Sequence, residues 1–295
     1  MSDDMAYVPG AVGGLHVEAD EGVAADEIER IKQSIAAMAR SSLESGERER
    51  EFYSKADALS AAVAAPLQSV IQADSGAMDK IASADAQMRR HVEELDRSPA
   101  PPVDPPPDLA FDAPLGGIGR PFHFLWHWHS GQPAPELPAL DRSAGFIDVD
   151  ARTGTSGDRS IVHHAGFGIS KSVAHPTTMT ARTVRQSIEN FNVGAALGGS
   201  ATVEGGIEMT VIENGTLIRH GVDKRFRRRL SVGEHVFGPP GAWSPGNPIQ
   251  LTFPMLPGSR YEINVGAWVF CATDQGFPGL SHAAARVRAT VFEIG

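Results

Sequence analysis

Seven prolines fall between Pro99 and Pro114, in the segment SPAPPVDPPPDLAFDAP. Proline at this density cannot continue a helix, and it favours an extended polyproline II conformation that acts as a semi-rigid spacer. The segment therefore predicts a boundary between two different folding units. We divide the 295-residue chain into a disordered tail (1–22), a helical oligomerisation or docking domain (23–98), a proline-rich linker (99–114) and a β-sandwich domain (115–295).

Charge also separates the two halves. Residues 1–98 contain 19 Asp and Glu against 10 Lys and Arg, whereas residues 99–295 contain 17 against 16. Neither half has the basic excess of a dedicated nucleic-acid-binding protein, so we expect no specific nucleic acid partner.

The chain shows no signal for export or membrane insertion. Its single cysteine, Cys271, excludes an intrachain disulfide. The acidic N-terminus lacks a secretory pattern, and no apolar run approaches the ~18 residues of a transmembrane span. We expect a cytoplasmic protein, or one released without a signal peptide by a virion or an injection machine.

Apolar residues recur at spacings of three and four in the helical region, which is the pattern of amphipathic helices. Gly46 predicts a break after the first run, and Pro66 predicts a kink or an end inside the second. The result would be a helical hairpin or a coiled-coil-like segment. The first predicted face consists of Ile28, Ile31, Ile35 and Met38.

A third run forms the seam along which we expect copies of the chain to associate as a dimer or trimer. Asp85 interrupts this seam, and a polar residue at such a position costs stability while fixing register and partner number. The helices carry few large side chains, so association would supply the missing burial, and residues 115–295 alone would be monomeric. The alternatives are a three-helix monomer and docking on another protein. The seam consists of Met78, Ile81, Asp85, Met88, Val92 and Leu95.

The β domain consists of short runs that alternate between apolar and polar residues, which is typical of antiparallel strands. Asn214-Gly215 lies between two such runs and is the pair that a type I′ hairpin turn requires. No long helical pattern separates the runs, so two packed antiparallel sheets fit best. The fold class is α+β in separate domains, with a jelly-roll-like β-sandwich at the C-terminus.

The segment FHFLWHWH, residues 122–129, alternates aromatic residues with histidines and one leucine. On a strand the aromatic residues share one face and the histidines share the other. We expect a buried aromatic face, which explains the segment without any metal or cofactor. The alternative is a metal site in which His127 and His129 chelate one ion and His163 supplies a third ligand.

The segment DKRFRRRL concentrates positive charge in the β domain. It is a candidate anion- or partner-binding patch. The alternative, which we favour, is a charged edge strand that blocks edge-to-edge aggregation, or a patch that pairs with the acidic helices. The five cations are Lys224, Arg225, Arg227, Arg228 and Arg229.

No nucleotide-binding or hydrolase motif occurs in the chain. We therefore expect a non-catalytic structural or recognition protein. Its helices would assemble or anchor the chain, and its β-sandwich would present a surface to a protein or glycan ligand. The layout resembles that of phage and injection-machine fibres, in the order of segments only. The alternatives are a metal-dependent enzyme using His127 and His129, and a membrane-active protein that inserts the uncharged residues 58–73.

Overall fold

The chain folds into two antiparallel sheets and one long helix over the part that can be described. The computed structural model describes residues 13–19, 23–80, 83, 86, 90, 118–131, 134–153, 159–195, 199–231, 235–238, 242–245, 247–274 and 281–294. The strands are β1 (Gly13–Ala19), β2 (Ile118–Gly119), β3 (Phe124–Gly131), β4 (Ala139–Asp141), β5 (Phe146–Arg152), β6 (Arg159–Ser172), β7 (Thr177–Gly194), β8 (Ser200–Glu213), β9 (Thr216–Ser231), β10 (His235–Phe237), β11 (Ser244–Pro245), β12 (Gln250–Met255), β13 (Arg260–Asp274) and β14 (His282–Ile294).

The sheets pack face to face. The first has six strands in the order β1-β3-β6-β13-β8-β9. The second follows the order β10-β7-β14-β5-β4, with β11 and β12 also paired to β7 and β2 paired to β14. One hydrophobic core contains residues of both sheets. This confirms the predicted antiparallel β-sandwich, while the jelly-roll connectivity stays a prediction.

Alternation along the strands builds the core between the sheets. Every second residue of β13 from Tyr261 to Cys271 is buried there, as is every second residue of β14 from Ala285 to Val291. Asn214 and Gly215 join β8 to β9 with φ angles of 47° and 82°. Two positive φ angles are what a type I′ turn requires, so the predicted hairpin is confirmed.

Helix α1 (Ala25–Ala73) is continuous over 49 residues. The predicted break at Gly46 is absent, and Pro66 lies inside the helix without ending it. A helical glycine costs about 1 kcal/mol, and the Glu and Arg residues around Gly46 are strong helix formers that offset this cost. Pro66 is exposed, so water can solvate the carbonyl that its missing N–H leaves without an intrahelical partner.

A second helical segment, residues 75–80, follows directly. The carboxylate of Asp74 accepts hydrogen bonds from the N–H groups of Gly76 and Ala77, at 2.9 and 3.1 Å, and so caps its first turn. Between residues 80 and 118 only 83, 86 and 90 are described, and these are helical. The predicted hairpin and the division into separate domains therefore stay predictions.

The first half of α1 packs against the outer face of the six-stranded sheet. Ile31, Ile35 and Met38, which we predicted to share one face, are at most 1% exposed. They meet the aromatic side chains of β3, so this part of the helix and the sandwich share a core. The complete cluster is Val17, Ile31, Ile35, Met38, Ala39, Leu43, Phe124, Trp126, Trp128 and Ile212.

Polar contacts flank this cluster on the sheet side. The hydroxyl of Thr210 in β8 donates a hydrogen bond to Met38 Sδ at 3.4 Å. Arg260, at the start of β13, forms an ion pair with Glu27 in the first turn of the helix. These two contacts, at Met38 and at Glu27, hold α1 in its position on the sheet.

Residues Gly13–Ala19, which we predicted to lie in a disordered tail, form strand β1 and pair with β3. Val17 of this strand is buried in the cluster beneath the helix. The segment is short and begins with two glycines, so its alternation is too brief to stand out in the sequence. Because β1 covers β3, the edges of the six-stranded sheet are β1 and β9.

No helical segment in the described part of the chain combines the length and the hydropathy needed to cross a membrane.

Candidate functional site

A cavity of about 470 Å³ lies between α1 and the outer face of the six-stranded sheet. Met38, Ser41, Ser42 and Leu43 of the helix form one wall, and residues of β6, β13, β8 and β9 form the floor. Small-molecule sites typically have volumes of about 300–1,000 Å³. This cavity is therefore the candidate binding site.

One cross-strand row crosses the sheet at the cavity, and its His164, Trp268 and Lys224 line the floor. Its members in register are Trp128, His164, Trp268, Gly206 and Lys224. The imidazole of His164 stacks on both indoles, with ring centroids 4.2 Å from Trp128 and 5.9 Å from Trp268. Gly206 carries no side chain, and a Cβ there would lie 2.3 Å from the carbonyl oxygen of Asp223. The backbone of β9 therefore lies against Gly206, in the gap between Trp268 and Lys224.

Glu208 lies two residues along β8 from Gly206 and is buried. His164 Nδ1 donates to one of its oxygens at 2.5 Å, and His220 Nε2 donates to the other at 3.2 Å. Burial alone would raise the pKa of Glu208, but the charges and hydrogen bonds of the two histidines hold it at about 2. The hydrogen bond to Glu208 in turn raises the pKa of His220. Glu208 is therefore ionised at neutral pH and orients both imidazoles.

Three of the five predicted cations line the cavity. Lys224 forms an ion pair with Glu204, and Arg227 Nε lies 3.7 Å from the other oxygen of the same carboxylate. Arg229 donates to the hydroxyl of Thr202 at 3.1 Å. Glu204 thus holds two cations at the side of the cavity formed by β9.

The other two predicted cations lie away from the cavity. Arg225 donates to Glu189 of the opposite sheet at 2.7 Å, and the Arg228 guanidinium lies 5.9 Å from the ring centroid of Phe191. Strict alternation would group Arg225 with the cavity cations. A register shift between β8 and β9 brings Lys224 to that face instead. The strand is an edge strand, but its charges pair within this chain and do not form one continuous patch.

The predicted metal ligands do converge, on the face of β3 opposite the aromatic residues. The ring centroids of His129 and His163 are 6.4 Å apart. His16 of β1, which sequence reasoning missed, has its ring centroid 5.2 Å from that of His127. Burial, reinforced for His127 by His16 and His129, lowers the pKa of both His127 and His163 to about 4. His163 Nδ1 lies 2.9 Å from the carbonyl oxygen of Asp150. Among the described residues, no group of three or more His, Cys, Asp or Glu side chains is arranged to hold a metal ion.

The aromatic face of β3 is buried as predicted, with Phe124, Trp126 and Trp128 fully inaccessible to solvent. Phe122 differs from the prediction. It precedes the strand and packs in the core between the sheets, where it stacks on Phe167 at 5.4 Å. The strict alternation therefore begins only at residue 124, where the strand begins.

The predicted oligomer seam is described only at its start. Met78 is half-buried. The other predicted members, Ile81, Asp85, Met88, Val92 and Leu95, lie outside the described residues.

Sequence reasoning missed Glu204, Glu208 and Trp268 as members of a site. The usable signal was the stretch TVEGGIEMTV, where two glutamates interrupt an otherwise apolar strand. A carboxylate buried in such a strand requires charged or hydrogen-bonding partners, because burying it alone is very unfavourable.

No family model matches this chain, and no curated protein matches it. Solved structures of infectious bursal disease virus particles overlap with it at very low similarity. The Gx strain chain shows 12% identity and a TM-score of 0.12, covering 61% of this chain and 51% of the viral one. The VP2 subviral particle shows 11% identity and a TM-score of 0.10, covering 63% and 50%. This chain thus spans about half the length of the viral chains, and overlaps with such TM-scores carry no conclusion about it.

Proposed function

We propose that this protein is a non-catalytic structural and recognition protein that assembles through its helix and presents its β-sandwich to a ligand. One observation supports the first part of this proposal, which is assembly through the helix. The distal part of α1 exposes a stripe of large apolar side chains, whose exposures are 69%, 69%, 50% and 65%. We call this set the distal stripe; it consists of Leu59, Val63, Leu67 and Val70.

The length of α1 places the distal stripe beyond the sheet. At ~1.5 Å per residue the 49-residue helix is about 74 Å long, whereas the 15 residues of β13 span about 50 Å at ~3.3 Å each. Among the described side chains of α1, those buried in the core end at Leu43. The distal helix therefore extends past the sandwich with an uncovered apolar face.

A second copy of the chain is the occupant that fits this face. The spacing of four, four and three residues keeps the distal stripe on one side of the helix, as in coiled-coil pairing. Residues 58–73 contain no charged side chain, so two copies can approach here without repulsion. The rest of residues 1–98 carries an excess of negative charge that would oppose contact elsewhere.

Light scattering on the full-length protein tests this assembly. We expect a discrete dimer or trimer of the 31.3 kDa chain. Replacing all four members of the distal stripe with serine should yield a monomer, because the buried apolar area is lost. The matched control carries Ala62→Ser and Gln72→Ser, two exposed positions on other sides of the helix, and should stay oligomeric.

A wild-type protein that is monomeric at about 100 µM would overturn the assembly half, since an affinity weaker than this is too low for a structural oligomer. Neutral liposomes added to such a monomer would then test the membrane-active alternative. Binding that depends on the distal stripe would support that alternative.

A further inference from the structure

We infer that the cavity between α1 and the six-stranded sheet binds a neutral saccharide, with one sugar ring stacked on Trp268. This inference deepens the recognition half of the proposed function and rests on it. It uses the partly exposed indole of Trp268, the pairing of charged groups within the cavity and the contacts of Glu204 with two cations.

Trp268 offers an aromatic surface to the cavity. Trp268 is partly exposed and lines the cavity, with His164 stacked at 5.9 Å on one side of it. The next position in the row is Gly206, and the one after is Lys224. The backbone of β9 lies against Gly206, so a ring would stack on the part of the Trp268 indole that faces the cavity. The indole N–H of Trp268 is buried and has no hydrogen-bond acceptor among the described residues.

The floor is partly aromatic, which suits the apolar side of a sugar ring. A pyranose presents C–H groups on its faces and hydroxyl groups around its rim. The face of an indole carries partial negative charge and attracts the weakly positive C–H groups. Phe270, two residues from Trp268 on the same face of β13, extends this apolar floor.

The charged groups of the cavity pair with one another, which favours a neutral ligand. Three carboxylates, of Glu204, Glu208 and Asp274, line it together with three Lys and Arg side chains. An anionic ligand such as phosphate would have to compete with Glu204 and Glu208 for the cationic groups that these carboxylates already bind. An acyl chain would leave these charges and several serine and threonine hydroxyls desolvated without partners, which is costly.

The ion-paired side of the cavity supplies fixed donors and acceptors for hydroxyl groups. Glu204 is held by Lys224 and Arg227, so its carboxylate does not have to be ordered when a ligand binds. His220 lies at the opposite part of the lining, and its hydrogen bond to Glu208 raises its pKa. A ring stacked on Trp268 would thus have an aromatic face and charged hydrogen-bonding groups in the same cavity.

Saturation-transfer NMR on the full-length protein tests the inference. The probes are glucose, galactose, mannose and N-acetylglucosamine, together with an array of neutral oligosaccharides, and inorganic phosphate and decanoate as contrasts. We expect binding of at least one saccharide and of neither contrast probe. Trp268→Leu, which keeps apolar volume but removes the aromatic face, should weaken that binding roughly tenfold.

A blocking variant provides the matched control. Ser42→Trp places a large side chain in the helical wall of the cavity, whereas Arg40→Trp places it on an exposed helix position outside the lining. The first should abolish saccharide binding and the second should leave it unchanged. If Ser42→Trp does not fold, Glu204→Gln gives the same test from the sheet side, and we expect it to weaken binding.

Three results would overturn the inference: no saccharide binds, a saccharide binds equally well to the variants, or only phosphate or decanoate binds. Light scattering on the same samples separates this failure from failure of the assembly. An oligomer that binds no saccharide would contradict this inference but not the proposed assembly. A monomer that binds a saccharide would contradict only the proposed assembly.

Discussion

The imidazole of His164 lies flat against the indole of Trp128, with ring centroids 4.2 Å apart and ring planes 15° apart. Trp128 belongs to the cluster beneath α1, and His164 belongs to the floor of the cavity. The stack therefore joins the buried aromatic row of β3 to the candidate binding site. Changes that loosen the helix-covered cluster should also alter the cavity.

The burial of the aromatic row predicts that substitutions at two neighbouring residues differ in their effect on stability. Trp128→Ala should lower the free energy of unfolding by about 3–5 kcal/mol, as for other large truncations in a packed core. His127→Ala, on the opposite face and partly exposed, should cost much less. Urea unfolding of the full-length protein measures both. A larger loss for His127→Ala would contradict the packing of the row against α1.

Residues 115–295 produced alone should aggregate or bind a hydrophobic dye. This prediction differs from our expectation of a monomeric fragment, because removal of α1 and β1 uncovers Phe124, Trp126 and Trp128 and leaves β3 as an unprotected edge. Size-exclusion chromatography and dye fluorescence measure the effect. A chain that lacks only residues 1–12, and so retains β1 and α1, is the control. A stable monomeric fragment that binds no dye would show that the helix is not needed to cover the sheet.

Stability should fall as the pH drops from about 6.5 to about 4. His127 and His163 have pKa values lowered to about 4 in the folded protein, whereas unfolded histidine protonates near 6.5. The unfolded state therefore binds more protons in this range, and the stability present above it is lost as the pH falls. The double variant His127→Gln, His163→Gln should show a flatter profile of urea midpoint against pH. His175→Gln, at an exposed position, should keep the wild-type slope.

Purified protein should contain no stoichiometric zinc, iron, manganese or copper. His163 Nδ1 lies within hydrogen-bonding distance of the backbone at Asp150, and the rings of His129 and His163 are 6.4 Å apart, so one ion would require the histidines to rearrange. Elemental analysis measures the content. About one metal per chain, lost in the variant His127→Ala, His129→Ala, would instead support the metal-dependent enzyme.

Local patterns in the sequence determined much of the β-structure. The period of two in residues 261–271 predicted which side chains face the core, and Asn214-Gly215 predicted the turn between β8 and β9. Both signals are local: a pleated strand alternates its side chains, and a type I′ turn needs two residues that tolerate positive φ. The burial of Trp126 and Trp128 followed from the same alternation.

Tertiary structure decided what covers those aromatic residues. The amphipathic pattern of Ile31, Ile35 and Met38 predicts that one helix face is buried. Periodicity does not identify the element against which that face packs. Among the described residues the partner is β3, more than 80 residues along the chain, and not a second helix. Likewise, Gly46 predicted a break that favourable helix formers on both sides prevented.

The cavity depended entirely on tertiary structure. Trp268, Gly206 and Lys224 are neighbours because β13, β8 and β9 pair in one register, and a single shift between β8 and β9 places Lys224 beside the cavity in place of Arg225. Register between strands is set by the sum of cross-strand contacts and not by any one segment. The sequence alone therefore determined which residues alternate along each strand, while the pairing of distant strands determined which of them meet.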